Sequence, residues 1–247
     1  MLSAQIDDYD VGEVIGVGTV GTIYAATSRT SGDHLAIKKL HPGVCQDKLI
    51  RARFRRETLI MERLHHPNIV RVYGGGDDNG QLFYVMEYVD GGTVKSLLQT
   101  KGAFRWPIVV EITRQVCSAL QFAHNHGVIH RDLKPGNLFL TRDAEVKLGD
   151  FGIARDLHGA DITSSGMTVG THAYMAPEQI TGDDSVSGKA DLYALGCCMY
   201  EMLVGRTPYQ GENFVQLFEQ HLRSDPPHVS ESVPDCPPEL DDIICLL

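Results

Sequence analysis

The chain has 247 residues, 43% of them hydrophobic, and a formal charge of −10 from 22 basic and 32 acidic residues. At roughly 150 residues per domain this is one large domain or two small ones, with enough apolar side chains for a sizeable core. The negative balance argues against a non-specific binder of nucleic acid or anionic membrane, and no apolar run approaches the roughly 18 residues of a membrane helix.

The first ten residues carry Asp7, Asp8 and Asp10 and lack the basic, apolar pattern of a signal peptide, so a cytoplasmic location is expected. Next, Tyr9 to Ile15 and Thr22 to Ser28 read as strands flanking a glycine cluster. A Ser31-Gly32-Asp33 turn leads into a third strand, His34 to Leu40. From Asp47 to Leu64 apolar residues recur among arginines and glutamates as on an amphipathic helix, which Pro67 stops. Strands follow at Ile69 to Gly74 and Gln81 to Tyr88, around an Asp77-Asp78-Asn79-Gly80 turn. After Gly91-Gly92 the pattern turns helical. Pro107 opens a helix with Ile108, Ile112, Val116, Leu120 and Ala123 along one stripe, ended by Gly127. Val146 to Leu148 is a short strand. Ala190 to Leu203 is apolar on nearly every face, the pattern of a buried helix. Pro226 to Pro238 reads as an ordered connector, and Glu239 to Leu247 begins an amphipathic helix. The six cysteines form no C-x-x-C pair and are expected as buried free thiols. Strands first and helices after, without βαβ alternation, make this an α+β chain in two lobes joined near Val89 to Gly92.

Four strings carry chemistry. Gly16-Val17-Gly18-Thr19-Val20-Gly21 is a G-x-G-x-x-G loop. The residues after it are β-rich rather than helical, so it fits a glycine hairpin over phosphates better than a dinucleotide fold; a plain glycine turn is the bland alternative. In Leu35-Ala36-Ile37-Lys38 a lysine among apolar neighbours can hold phosphate oxygens, and Glu57 on the following helix is the anion to orient it. In His130-Arg131-Asp132-Leu133-Lys134-Pro135-Gly136-Asn137, Asp132 and Asn137 lie on a loop that Pro135 and Gly136 keep from being helical. An acid for a hydroxyl and an amide oxygen for a metal can face one cleft from there. Asp150-Phe151-Gly152 adds a second carboxylate, and oxygen ligands of this kind suit Mg²⁺ shared with phosphates.

With Ala176-Pro177-Glu178 these strings resemble, in order, the signature set of eukaryotic-type protein kinase catalytic domains, in a bacterial-like version. The resemblance runs from about Tyr9 to the chain end, with Ile23 and Leu35 where valine is usual. It implies a two-lobed α+β fold, with a small β-rich N-lobe at about 9–89 and a larger helical C-lobe at about 90–247. It implies ATP and Mg²⁺. Ile15, Gly16, Val17, Gly18, Thr19, Val20, Gly21, Thr22 and Ile23 would line the nucleotide, the glycines covering its phosphates. Lys38 would hold the α- and β-phosphates and pair with Glu57. Met86 would be the gatekeeper, Glu87 to Val89 the hinge that meets adenine, and Ala36, Ile23 and Phe139 the sandwich around the base. Asp132 would accept the substrate hydroxyl proton, with Lys134 beside it, while Asn137 and Asp150 bind the metal.

Lys134 and Gly170-Thr171 imply serine/threonine rather than tyrosine specificity. Arg131 invites a phosphate on the activation loop, where Thr163, Ser164, Ser165 and Thr168 are the candidates. Autophosphorylation there would use a kinase–kinase dimer. A small-molecule kinase would lack the Ala176-Pro177-Glu178 platform. A pseudokinase acting as a binding module usually loses the lysine, an aspartate or the asparagine, and all four are present. In the family an arginine beyond the last helix pairs with the glutamate matching Glu178. None is reached before Leu247, so a C-terminally truncated domain is expected, and an impaired fragment stays the alternative.

Overall fold

A computed structural model describes residues 4–18, 20–151, 172–183 and 186–247. The chain divides into two compact units, the division falling between Asp90 and Gly91.

In the first unit, β1 (Tyr9–Val17), β2 (Gly21–Ser28), β3 (His34–Leu40), β4 (Val72–Asp78) and β5 (Gln81–Glu87) form one antiparallel sheet in the order β1-β2-β3-β5-β4. α1 (Lys48–Met61) starts on Asp47, whose carboxylate accepts the amides of Leu49 at 2.7 Å and Ile50 at 3.4 Å. That satisfies two of the donors a helix leaves open at its start. Alternation along β3 sends Leu35 and Ile37 into a core with Ala26, Phe83 and Val85. Ala36 and Lys38 therefore stand on the opposite face. The β4 strand starts later than the expected Ile69 and runs through Gly74, Gly75 and Gly76 to Asp78. Glycine here marks crowding rather than a break: a Cβ on Gly76 would lie 2.3 Å from the Phe83 ring. Only Asn79 and Gly80 form the turn, both at positive φ, the geometry of a tight hairpin.

In the second unit, α2 (Val94–Lys101) follows a reciprocal cap in which Thr93 and Ser96 each accept the other's backbone amide. α3 (Trp106–Asn125) buries Val109, Ile112, Val116 and Leu120. Ile108, expected on that stripe, is exposed, and Val109 takes its place. β6 (Leu138–Leu140) and β7 (Val146–Leu148) make a small hairpin. α4 (Pro177–Thr181), α5 (Gly188–Val204), α6 (Phe214–Arg223) and α7 (Pro238–Leu246) follow. α5 is buried on nearly all sides, as its composition requires, and packs on α3 and α7. The connector before α7 holds a 3-10 turn at Val229–Glu231. All six cysteines are free thiols, but Cys117 is exposed and Cys245 half-buried, against the expectation of burial. Among the described residues no helix is long and apolar enough to cross a membrane.

One packing feature makes stability depend on pH. His221 of α6 is buried, its Nδ1 within hydrogen-bond distance of the Tyr193 hydroxyl at 2.6 Å, and burial pushes its pKa down to about 4. The unfolded imidazole titrates near 6.5, so between those values the unfolded chain binds a proton that the folded one refuses. Stability is therefore expected to fall as pH drops from about 6.5 to about 4, by about 2–3 kcal/mol from this group. Denaturant unfolding at several pH values checks it. His221→Asn should flatten that slope, and an unchanged slope would rule His221 out as its source.

Candidate active site

In the first unit the sheet register sorts the sequence candidates onto one face. Lys38 sits opposite Ile23 on β2 and Tyr84 on β5, and Ala36 opposite Met86. Directly paired residues project to the same side, so Ile23, Ala36, Lys38, Tyr84 and Met86 share a face. Ala36 and Met86 are buried and Lys38 half-buried. The Lys38 ammonium lies 6.0 Å above the Tyr84 ring, whose centroid is 6.3 Å from that of Phe54 on α1. Glu57 follows Phe54 by three residues, and so lies on the same side of that helix. Glu87 closes β5, its backbone amide bonding the Arg71 carbonyl at 2.8 Å, and Val89 is half-buried beyond it.

The glycine hairpin joins β1 to β2, with Gly16 opposite Ile23 and Val17 opposite Thr22. The Gly18 amide donates to the Gly21 carbonyl at 2.9 Å, and the His41 ring meets the Gly18 carbonyl at 3.1 Å. Crowding inside the fold explains Gly21, since a Cβ there would sit 2.4 Å from the Lys39 carbonyl. It does not explain Gly16 or Gly18, where a Cβ would make only ordinary contacts at 3.6 and 3.5 Å. Ile15 and Val17 are exposed, Val20 half-buried, and Thr19 lies outside the described residues.

In the second unit the β6–β7 hairpin gathers two distant stretches. Leu138 pairs with Leu148, so Asn137 before β6 meets Gly149 after β7, and the Gly149 amide donates to the Asn137 carbonyl at 3.0 Å. Asp150 follows directly, half-buried, at φ 52°. The Asp132 carboxylate accepts Lys134 Nζ at 2.8 Å and Asn137 Nδ2 at 3.2 Å, and that same Nδ2 reaches the Asp132 main-chain oxygen at 2.7 Å. The Asn137 amide nitrogen thus faces Asp132, which turns its carbonyl oxygen the other way. Pro135–Asn137 is one 3-10 turn, short of the α-helix that proline and glycine disfavour but more regular than the open loop expected. Phe139 is half-buried on β6, and its backbone bridges Thr93.

Several residues that hold this loop escaped the sequence reading. Asp191, at the start of α5, is fully buried and accepts the backbone amides of His130 at 2.8 Å and Arg131 at 2.7 Å, and His124 Nε2 at 2.7 Å. Burial opposes its charge, but the His124 hydrogen bond, the His130 ring and the two amides outweigh that and hold the carboxyl below its usual range. The available signal was an acid inside an otherwise apolar helix, which must have partners to be buried. His130 is likewise buried. Its Nδ1 accepts the Asp132 amide at 3.2 Å, so Nε2 carries the proton and donates to the Gly149 carbonyl at 2.9 Å. One imidazole ring thus ties the Asp132 loop to the Asp150 segment. Gln179 of α4 donates to the Arg131 carbonyl at 3.0 Å and accepts the Ala176 amide at 3.1 Å. Glu178 is half-buried. Thr163, Ser164, Ser165 and Thr168, with Gly152 and Thr171, lie outside the described residues.

A family model described as the protein kinase domain matches residues 9–245. The serine/threonine-protein kinase PknB of Mycolicibacterium smegmatis is 39% identical over 244 residues, covering 96% of this chain and 39% of that protein. The chain thus spans well under half the length of that relative. Among solved structures, Rad53 in complex with AMP-PNP is similar with a TM-score of 0.79 and 31% identity, over 96% of this chain and 59% of that one. The kinase domain of Mycobacterium tuberculosis PknI is similar with a TM-score of 0.76 and 30% identity, over 98% of this chain and 87% of that one.

Proposed function

The chain belongs to the protein kinase domain family, and on that premise we propose that it transfers the γ-phosphate of ATP to serine and threonine hydroxyls of proteins. The observation that carries this reading is the cluster of Asp132, Lys134 and Asn137 on one loop. Asp132 takes the proton of the attacking hydroxyl, and Lys134 steadies its carboxylate and meets the charge that develops on the transferring group. Lys38, oriented by Glu57, holds the α- and β-phosphates. Gly16, Gly18 and Gly21 let the hairpin backbone approach the phosphates without a Cβ in the way. In the first unit Ile15, Val17, Thr19, Val20, Thr22, Ile23 and Ala36 flank the nucleotide, and in the second unit Phe139 is the candidate to meet its base. Met86 limits the depth of the base site, and the backbone from Glu87 to Val89 meets the base edge. The two glycines that packing leaves unexplained, Gly16 and Gly18, support a ligand's approach to that backbone. The similar Rad53 structure holds AMP-PNP, an ATP analogue, which supports a nucleoside triphosphate as donor.

The residues present also fit a divalent metal. The Asn137 carbonyl oxygen, turned away from Asp132, and the Asp150 carboxylate are the hard oxygen donors that Mg²⁺ prefers. When bound, Mg²⁺ would neutralise charge on the phosphates. Transfer of labelled phosphate from ATP to generic protein substrates, with and without Mg²⁺, tests the reading, and absence of transfer under both conditions would refute it. An impaired, partner-binding kinase fold has no observation in its favour: Lys38, Asp132, Asn137 and Asp150 are all retained.

Activation is proposed to follow autophosphorylation at Thr163, Ser164, Ser165 or Thr168 between two copies of the chain, in the cytoplasm where ATP is available. Phosphate within that segment should pair with Arg131 and raise activity. Mass spectrometry should locate it there, and the specific rate should rise with enzyme concentration. Modification only elsewhere, or a rate independent of concentration, would count against transfer between copies.

A further inference from the structure

Far from these residues in sequence, three side chains of different chemistry converge. His228 precedes the Val229–Glu231 turn, and Asp241 and Cys245 lie one helical turn apart on α7. The donor atoms of all three fall within 4.8 Å of one another. His228 Nδ1 is 3.2 Å from Asp241 Oδ2 and 3.6 Å from Cys245 Sγ. We propose that His228, Asp241 and Cys245 form a three-ligand binding site for a borderline-soft divalent cation, Zn²⁺ by its chemistry, with solvent as fourth ligand.

The distances argue for a metal rather than a nucleophilic relay. In a relay the carboxylate and the thiol bond opposite nitrogens of the ring. Here both meet the same nitrogen, Nδ1, as ligands of one ion do. Tetrahedral Zn²⁺ with bonds of about 2.3 Å to sulfur and about 2.0–2.1 Å to nitrogen and oxygen spaces S and N by about 3.5 Å and N and O by about 3.3 Å. The observed N–S and N–O separations match before any ion is present, and the third pair of donor atoms lies within 4.8 Å.

The support around the site is also in place. Asp241 is buried, with Oδ1 accepting the Val229 amide at 2.7 Å and Oδ2 the Ser230 hydroxyl at 2.6 Å, so its carboxylate is already oriented. His228 is exposed, which gives the ion a way in. Burial, with Asp241 and Asp242 nearby, pushes the Cys245 thiol up, so binding at neutral pH releases its proton to solvent as the sulfur–metal bond forms. Carboxylate and thiolate together balance the dication. The bound ion would tie the connector to α7 and stabilise the second unit by mass action.

The test uses the whole 247-residue chain, stripped with a chelator and titrated with Co²⁺, then Zn²⁺. One equivalent of Co²⁺ should give tetrahedral d–d bands with a thiolate charge-transfer band, and Zn²⁺ should abolish both. Cys245→Ser should remove the charge-transfer band. His228→Ala should weaken binding by more than the roughly 10- to 100-fold typical of second-shell changes. Cys117→Ser, at the exposed thiol elsewhere, should change nothing. Zn²⁺ should raise the melting midpoint of the wild type and not of His228→Ala, a comparison that stands even where Cys245→Ser fails to fold. No thiolate band, a band that survives Cys245→Ser, or an equal Zn²⁺ shift in His228→Ala overturns the proposal.

Discussion

Asp132→Asn is expected to lower phosphate transfer about 10²- to 10⁴-fold, the usual loss for a general base, while the fold and nucleotide affinity stay close to wild type. The amide is nearly the same size but cannot accept the hydroxyl proton at neutral pH. Loop geometry should survive, because the shorter Asn137 bond, 2.7 Å, goes to the main-chain oxygen that the substitution leaves in place. The ion pair with Lys134 is lost, but both side chains are partly solvated, so the cost to stability is about 1 kcal/mol or less. Steady-state rates, ATP-analogue binding and a melting curve on one preparation separate these effects. Wild-type turnover in Asp132→Asn would remove this carboxylate from the mechanism. A comparable loss with a collapsed melting midpoint would instead make its role structural.

Asp191→Ala is expected to be the most destabilising single change near the site, at about 3–5 kcal/mol, the usual cost of stripping one partner from a buried charged arrangement. Three donors lose their acceptor at once in a fully buried position: the amides of His130 and Arg131 and the His124 ring. Arg131 also sits at φ 64°, a conformation disfavoured for a side chain of that size, and its amide bond to Asp191 helps hold it there. Released, the loop can relax and carry Asp132 with it, so activity should fall along with stability. Asp191→Asn keeps one acceptor oxygen and should lie between alanine and wild type. The pH dependence supplies a second check. A folded pKa below the usual carboxylate value contributes stability that is present above about 3.8 and disappears as pH falls through the folded value. The gap between wild type and Asp191→Ala should therefore persist down to about pH 4 and narrow only below it, outside the window assigned to His221. Denaturant unfolding free energies measure all of this, and a loss under about 1 kcal/mol for alanine would show that the loop has other supports.

Local pattern carried the parts of this protein whose causes are local. The bounds of β3 follow from an apolar alternation after a tight turn, and β7 from a short apolar strand ahead of Asp150. The α5 helix had to be buried because no polar face exists to wet it. The α+β division and the strings around Lys38, Asp132 and Asp150 were likewise legible, as residue types at fixed spacing. Other features were not. The α2 helix begins on a Thr93 cap and is short, with Val94, Leu97 and Leu98 its only apolar residues, so its periodicity is faint; α6, which begins on an Asn213 cap, was legible in principle, because Phe214, Leu217 and Phe218 recur at helical spacing. The run of β4 through three glycines is stabilised by pairing with β5, which no window around Gly75 contains. The choice of Val109 over Ile108 depends on which side of α3 meets α5, a matter of packing rather than of hydrophobicity. Asp191 holds amides 60 and 61 residues earlier in the chain. His228 and Cys245 meet across 17 residues because the connector folds back on α7. Sequence by itself determined which elements form and which chemistry they carry, because strand alternation, helix periodicity and turns act over a few neighbours. Only the tertiary structure decided which buried polar groups satisfy one another, because that depends on where distant backbone amides come to rest.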